Sequence, residues 1–226
     1  MKPKSGILKI VGMAAVVVAL FSGCRNTNDR ILNEGIIEYD VVAVDPNHPW
    51  AGMVPSTATL KFKDDKFLVE MSTMGMFTTT FICDQTGKTL TQMVKFLDIK
   101  QACIEKEEEI KKENSGYKMK WEETNETKKI AGYTCKKLKV SMIDDPSAKF
   151  EAYYTKDMGA ENMNDLSPYN GIKGMLLQYR LKRMGLELQF TAKSVKKADI
   201  TESIFEIPAY FKIVNKAEIE KIFQQF

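Results

Sequence analysis

Residues 37–44 read IEYDVVAV. Ile37, Tyr39, Val41 and Ala43 fall on one side of an extended chain, and Glu38 and Asp40 fall on the other. Successive strand side chains point to opposite faces, so a period of two is the mark of a strand with one dry side and one wet side. The pattern recurs in ATLKFK (58–63), YKMKWE (117–122), LKVSM (138–142) and MGLELQF (184–190). Turn-forming clusters separate these runs: KDDK at 63–66, Asp45-Pro46-Asn47, Gln85-Thr86-Gly87 and Asp144-Asp145-Pro146. Asp, Asn, Gly and Pro bend the chain through local hydrogen bonds or a fixed φ. The expected fold is mainly β with some α, built from eight to eleven antiparallel strands and without parallel crossover units.

Two stretches break the period. IEKEEEIKKEN at 104–114 combines good helix formers with opposite charges four apart, Glu107 with Lys111 and Glu108 with Lys112. A surface helix and a charged connection between strands both fit it. At the C-terminus, Asn215 followed by Glu218 has the form of a capping box. Ile219, Ile222, Phe223 and Phe226 then make an apolar stripe at helical spacing, expected to pack on the dry side of the sheet.

Eight or more twisted strands curl. The sheet is therefore expected to form a curved, unclosed half-barrel with helices, including the C-terminal one, on its concave face. Short helices fill such a concavity only in part. A concave apolar site for a greasy ligand is one outcome and a filled core is the other.

Candidate binding residues follow from that geometry. EMSTMGMFTTTF at 70–81 clusters Met71, Met74 and Met76, with Met74 and Met76 expected on one strand face. Methionine suits an adaptable apolar pocket and also ligates Cu(I), but the only histidine, His48, is distant and no metal site is expected. The loop DPNHPWAGMVPS at 45–56 is too rich in proline for a regular helix and presents Trp50, either to a ligand or partner or to the end of the sheet. Met74, Met76, Trp50 and Phe223 are the candidate ligand contacts.

Catalytic motifs are sparse. A nucleophile-and-base device would depend wholly on His48, and no nucleophile elbow, phosphate loop or H-E-x-x-H occurs. No catalytic residue and no cofactor is expected. A hydrolase acting on glycan through paired carboxylates leaves no short motif and stays as the lesser alternative.

The first residues form a separate unit. Lys2, Lys4 and Lys9 precede an apolar run from Ile10 to Phe21, broken only by Gly12, and Ser22 and Gly23 precede Cys24. A basic head, a short apolar stretch and a small-residue exit describe a secretory signal, too short for a membrane span of about 20 residues. The ending resembles the bacterial lipoprotein box, with Phe21 where Leu, Val or Ile is usual. That resemblance implies cleavage before an acylated Cys24, a signal peptide at 1–23, a tether at 24–33 and one domain at 34–226. Several acyl chains hold a protein to a bilayer stably. Arg25 in place of Asp after the cysteine implies sorting to the outer membrane.

Loss of the signal takes three lysines and leaves 30 basic against 30 acidic side chains. This balance gives no basic stripe for nucleic acid. Cys83, Cys103 and Cys135 permit at most one disulfide, and burial as small apolar residues is the simpler reading.

Four further stretches, KKIAGYTCKKLKV (128–140), EAYYTKDM (151–158), IKGMLLQY (172–179) and DITESIFEIPAYFKIV (199–214), resemble landmarks of a bacterial lipoprotein family, domain of unknown function 4412. That family is similar to the periplasmic lipoprotein carrier and its outer-membrane receptor. The resemblance covers roughly residues 34–215. It implies a curved sheet wrapped around helices, a non-enzymatic role, and a lipid or lipidated partner as ligand. It also implies a turn at Gly132, core anchors at Phe205 and Ile207, a strand end at Pro208 and a packed ring at Tyr210. An adaptor that recognises another envelope protein is the alternative function. Oligomeric state is not legible.

Overall fold

The computed structural model describes residues 32–73, 75–183 and 185–223. The expected signal peptide at 1–23, Cys24, Met74 and Phe226 lie outside the described residues. Twelve strands form one sheet: β1 (Glu34–Ala43), β2 (Thr57–Lys63), β3 (Lys66–Thr73), β4 (Phe77–Asp84), β5 (Thr89–Phe96), β6 (Ile99–Lys106), β7 (Met119–Ile130), β8 (Tyr133–Met142), β9 (Lys149–Thr155), β10 (Met175–Arg183), β11 (Leu186–Lys197) and β12 (Lys212–Ile213). Two α-helices, α1 (Glu107–Asn114) and α2 (Lys216–Phe223), accompany it. The strand order is β12-β6-β5-β4-β3-β2-β1-β11-β10-β9-β8-β7, and the sheet does not close into a barrel.

Hairpins set the register where turn residues fall. Asp64 and Asp65 join β2 to β3 with Asp64 at φ 49°, a left-handed position that Asp tolerates. Ala131 and Gly132 join β7 to β8 at φ 48° and 89°, which is why the landmark glycine stands there. Gly174, at φ 135°, lies so close to β9 that a Cβ would meet the Thr155 carbonyl oxygen at 2.3 Å.

One ion pair measures the curvature. Glu105 of β6 and Arg183 of β10 are separated in the sheet by six strands, yet their side chains meet at 2.6 Å. Right-handed twist at each strand pair carries the sheet round until its inner face turns on itself.

The ends of the chain cover both sides. After β11 the segment 200–211 crosses the outer face, where Phe205, Ile207 and Phe211 pack on Leu68, Ile82, Met93 and Ala102. β12 then adds to the edge of β6 in parallel, so the strand count exceeds the sequence-based expectation by one. Two residues are too few to show a period. α2 turns to the inner face, where Ile219 and Ile222 pack with Val94 and Cys103. Its cap is as expected: the Glu218 N–H donates to Asn215 Oδ1 at 3.0 Å.

Two expectations change. Ile104 belongs to β6, and α1 starts only at Glu107, with Lys111 paired to Glu107 at 2.7 Å. Tyr210 is not packed into the core; it is 66% exposed, with Lys100 Nζ 4.9 Å from its ring centre.

Candidate functional site: an apolar cavity on the inner face

Seven consecutive strands, β5-β4-β3-β2-β1-β11-β10, share a cavity of about 240 Å³. Alternation places its wall: Phe67, Val69 and Met71 on β3, and Phe77, Thr79, Phe81 and Cys83 on β4. Leu60 of β2 and Leu188 and Phe190 of β11 complete the dry side. An apolar cavity of about 150 Å³ already takes up benzene, so this space accommodates a larger apolar group.

Three covers bound the cavity. Trp50, Met53, Val54 and Pro55 line it from the loop between β1 and β2, which is fixed where Thr73 Oγ1 donates to the Met53 carbonyl at 2.8 Å. Phe223 closes against Phe77, ring centres 5.2 Å apart, from α2. The third cover is the segment 156–174 between β9 and β10. Gln85 Nε2 donates to the Met163 carbonyl at 2.8 Å, and the Leu166 N–H donates to Gln85 Oε1 at 3.2 Å. Asn114 Nδ2, at the end of α1, donates to the Leu166 carbonyl at 2.9 Å. Inside that segment Asn164 is buried and donates to the carbonyls of Ile172 and Gly174, both at 2.8 Å. Buried amides of this kind are satisfied by the protein, which leaves the wall largely apolar, with Thr79, Gln92 and Arg183 among its polar members.

An aromatic cluster forms the floor towards β10. Tyr179 stacks on Phe190 at 5.0 Å, and Tyr39 and Tyr169 meet Tyr179 edge-on at 5.9 and 6.1 Å. The Tyr39 and Tyr169 hydroxyls donate to the carbonyls of Leu176 and Arg180, so each ring is buried without leaving its polar tip unpaired.

Charge is concentrated at one corner. Arg183 lines the cavity and binds Glu105 at 2.6 Å and Glu113 at 3.2 Å. Lys216, at the start of α2, binds Glu105 at 2.6 Å and also Glu113. The cluster thus joins β6, β10, α1 and α2 with two charges of each sign. Glu105 is only 1% exposed. Burial acts to raise its pKa, but Arg183 and Lys216 together outweigh this and hold the carboxyl below its ordinary value. The same two carboxylates hold Lys216 above its ordinary value against the opposing effect of burial.

Of the residues expected from sequence, Trp50 and Phe223 line the cavity together. Met76 does not: it sits on the turn after β3, 56% exposed, and the neighbouring Met71 takes the wall position. The turn at Gly75 and Met76 interrupts the strand that the alternation carried through. Sequence reasoning missed Glu105, Arg183, Gln85 and Asn164. Its one available signal was Glu105, a charge in step with the inward Gln101 and Cys103.

Cys83, Cys103 and Cys135 are free and buried, in line with the simpler reading of them. Burial pushes the Cys83 thiol up to about 12 and those of Cys103 and Cys135 up to about 11. Among the described residues no helix is long and apolar enough to cross a membrane. No known family model and no curated protein matches the chain.

Proposed function

We propose that this protein is a lipid-anchored, non-enzymatic envelope protein that holds an acyl chain or similar apolar group in the cavity of its half-barrel. The ligand is a lipid or the lipid moiety of a lipidated partner. The anchor is an acylated Cys24 following the signal peptide, and the site of action is the outer membrane, facing the periplasm. The resemblance to the lipoprotein family and its carrier relatives is part of the same proposal. One observation carries the reading: seven adjacent strands turn their apolar sides towards one space that α2 and the 156–174 segment cover without filling. A role without chemistry is supported by the state of the polar groups at the wall. Gln85, Asn164 and Arg183 are each bound within the protein. Glu105, beside Glu113, is held ionised rather than poised as the acid that glycan hydrolysis needs.

The test uses the recombinant domain that follows Cys24. Native mass spectrometry is expected to find a co-purified acyl ligand, and a fluorescent fatty acid is expected to bind. Val69→Trp, which places an indole in the cavity, is expected to abolish both. Absence of any bound lipid together with absence of probe binding removes the proposal.

A further inference from the structure

We propose that the β6–β12 edge of the sheet is a second, acyl-independent contact with the surface of an anionic bilayer. Four of the large apolar side chains that face solvent lie along this edge. Leu97, at the tip of the β5–β6 hairpin, is 62% exposed; Tyr210 is 66%, Ile213 55% and Ile104 47% exposed. Register places Ile104 and Ile213 on one side, and Tyr210 joins them through Lys100. Lys100, Ala102 and Ile104 alternate onto the outer face of β6, Ile213 pairs with Ala102, and Tyr210 lies under Lys100. A run of exposed apolar side chains rimmed by polar ones marks an interaction site.

The charges around it select the occupant. Lys95 and Lys100 are paired directly across the β5–β6 hairpin. Like charges in that position repel, and an anionic surface relieves the repulsion. Acids along this edge include Asp98 at the hairpin tip and Glu206, which lies beside Thr91, the cross-strand partner of Ile104; Lys212 pairs with Gln101 and so projects from the opposite side. A tyrosine with its hydroxyl at the wet boundary, flanked by lysines whose stems lie on apolar surface, suits the headgroup region of a bilayer. Basic residues near such a surface add attraction that fades with salt. The contact goes beyond the proposed cavity ligand and requires neither the cavity nor the acyl anchor.

The experiment is sedimentation of the non-acylated domain after Cys24 with sucrose-loaded vesicles. Vesicles of phosphatidylcholine alone are compared with vesicles containing an equal part of phosphatidylglycerol. The domain is expected to sediment with the anionic vesicles at low salt and to be released as salt rises. Lys95→Glu with Lys100→Glu is expected to weaken partition at least about tenfold, since each lysine reversed removes an attraction and adds a repulsion. Leu97→Ser with Tyr210→Ser is expected to weaken it severalfold; these side chains are exposed, so folding is retained and checked by circular dichroism. Equal partition to both vesicle types, no partition, or partition unaffected by the four substitutions overturns the proposal. A concentration-dependent dimer that the Leu97 and Tyr210 substitutions dissolve overturns it too, because the edge then serves a second copy of the chain. Val69→Trp is expected to leave partition unchanged, which separates this result from the cavity test.

Discussion

Over β8, β9 and the start of β10 the inner face is packed solid, whereas over β2, β3 and β4 it is left hollow. In the packed region Leu138, Val140, Ala152 and Tyr154 are covered by Tyr169 and Ile172, side chains that the 156–174 segment inserts from above. In the hollow region Leu60, Phe67, Val69 and Phe81 face a cavity that is left open among the described residues. The strands themselves hardly differ in pattern. What differs is the cover: a segment of irregular chain reaches down with a large ring, while α2 keeps to the far side over Val94 and Cys103. The cavity is thus a property of the covers and not of the sheet.

The charge cluster at Glu105 joins β6 to the end of β10 across the curl of the sheet, outside both regions but holding the curl that brings them together, so breaking it is expected to have the largest effect. Arg183→Ala leaves Glu105 buried and short of one of its two cations, a change that typically costs about 3–5 kcal/mol. Urea denaturation measures it. A loss below about 1 kcal/mol means that Lys216 alone satisfies the carboxylate and the cluster is no clasp. Acid tests the same contact. The folded-state pKa of Glu105 lies below its ordinary 4.5, so its contribution is complete above that value and is lost as pH falls through the lower, folded one. Stability is expected to fall more steeply below pH about 4.5 in the native protein than in Glu105→Gln, where that ionisation is absent. Parallel curves for the two proteins contradict this.

Adding volume separates solid from hollow directly. Leu138→Trp, in the packed region, is expected to cost about 1–3 kcal/mol through overpacking. Val69→Trp has room to turn into the cavity and is expected to change stability by less than about 1 kcal/mol. Equal costs at the two sites show that the hollow region collapses in solution.

How far the sequence led is clearest at these same positions. Leu138, Leu60 and Tyr39 could be assigned to the dry side because a period of two is local to the strand. The α2 cap at Asn215 and Glu218 was equally plain, since capping is local chemistry. The cavity's cover was not. Tyr169 and Asn164 lie in a stretch with no period, and their places depend on Gln85 and Asn114, far away in sequence. Glu105 and Arg183 are 78 residues apart, and only the curl of the finished sheet brings them together. Met76 went the other way, because a tight turn at Gly75 ended an alternation that looked continuous.

Thiol chemistry gives a finer comparison. Cys83 lines the hollow region, while Cys103 lies beneath α2 and Cys135 belongs to the buried core. With a pKa pushed up to about 12, Cys83 is thiolate in roughly one molecule in ten thousand at pH 8. All three are therefore expected to react slowly with N-ethylmaleimide in the folded domain. A methanethiosulfonate carrying an apolar tail is expected to reach Cys83 first, because the cavity concentrates it there, and a bound fatty acid is expected to protect it. Peptide mapping by mass spectrometry reads the order, and modification of Cys103 or Cys135 ahead of Cys83 goes against an accessible cavity.

The smallest effect is expected between two adjacent residues. Met76 points to solvent from the turn and Phe77 points inward against Phe223, so one step along the chain separates the outside from the wall. Met76→Ser removes only exposed apolar surface, and fatty-acid affinity is expected to stay within about twofold, below half a kcal/mol. Phe77→Ser removes a ring from the wall and from the seat of α2, and binding is expected to weaken severalfold. If the two substitutions weaken binding equally, the turn folds back over the cavity when ligand is present, and the boundary between cover and wall belongs one residue earlier than Met76 and Phe77 place it here.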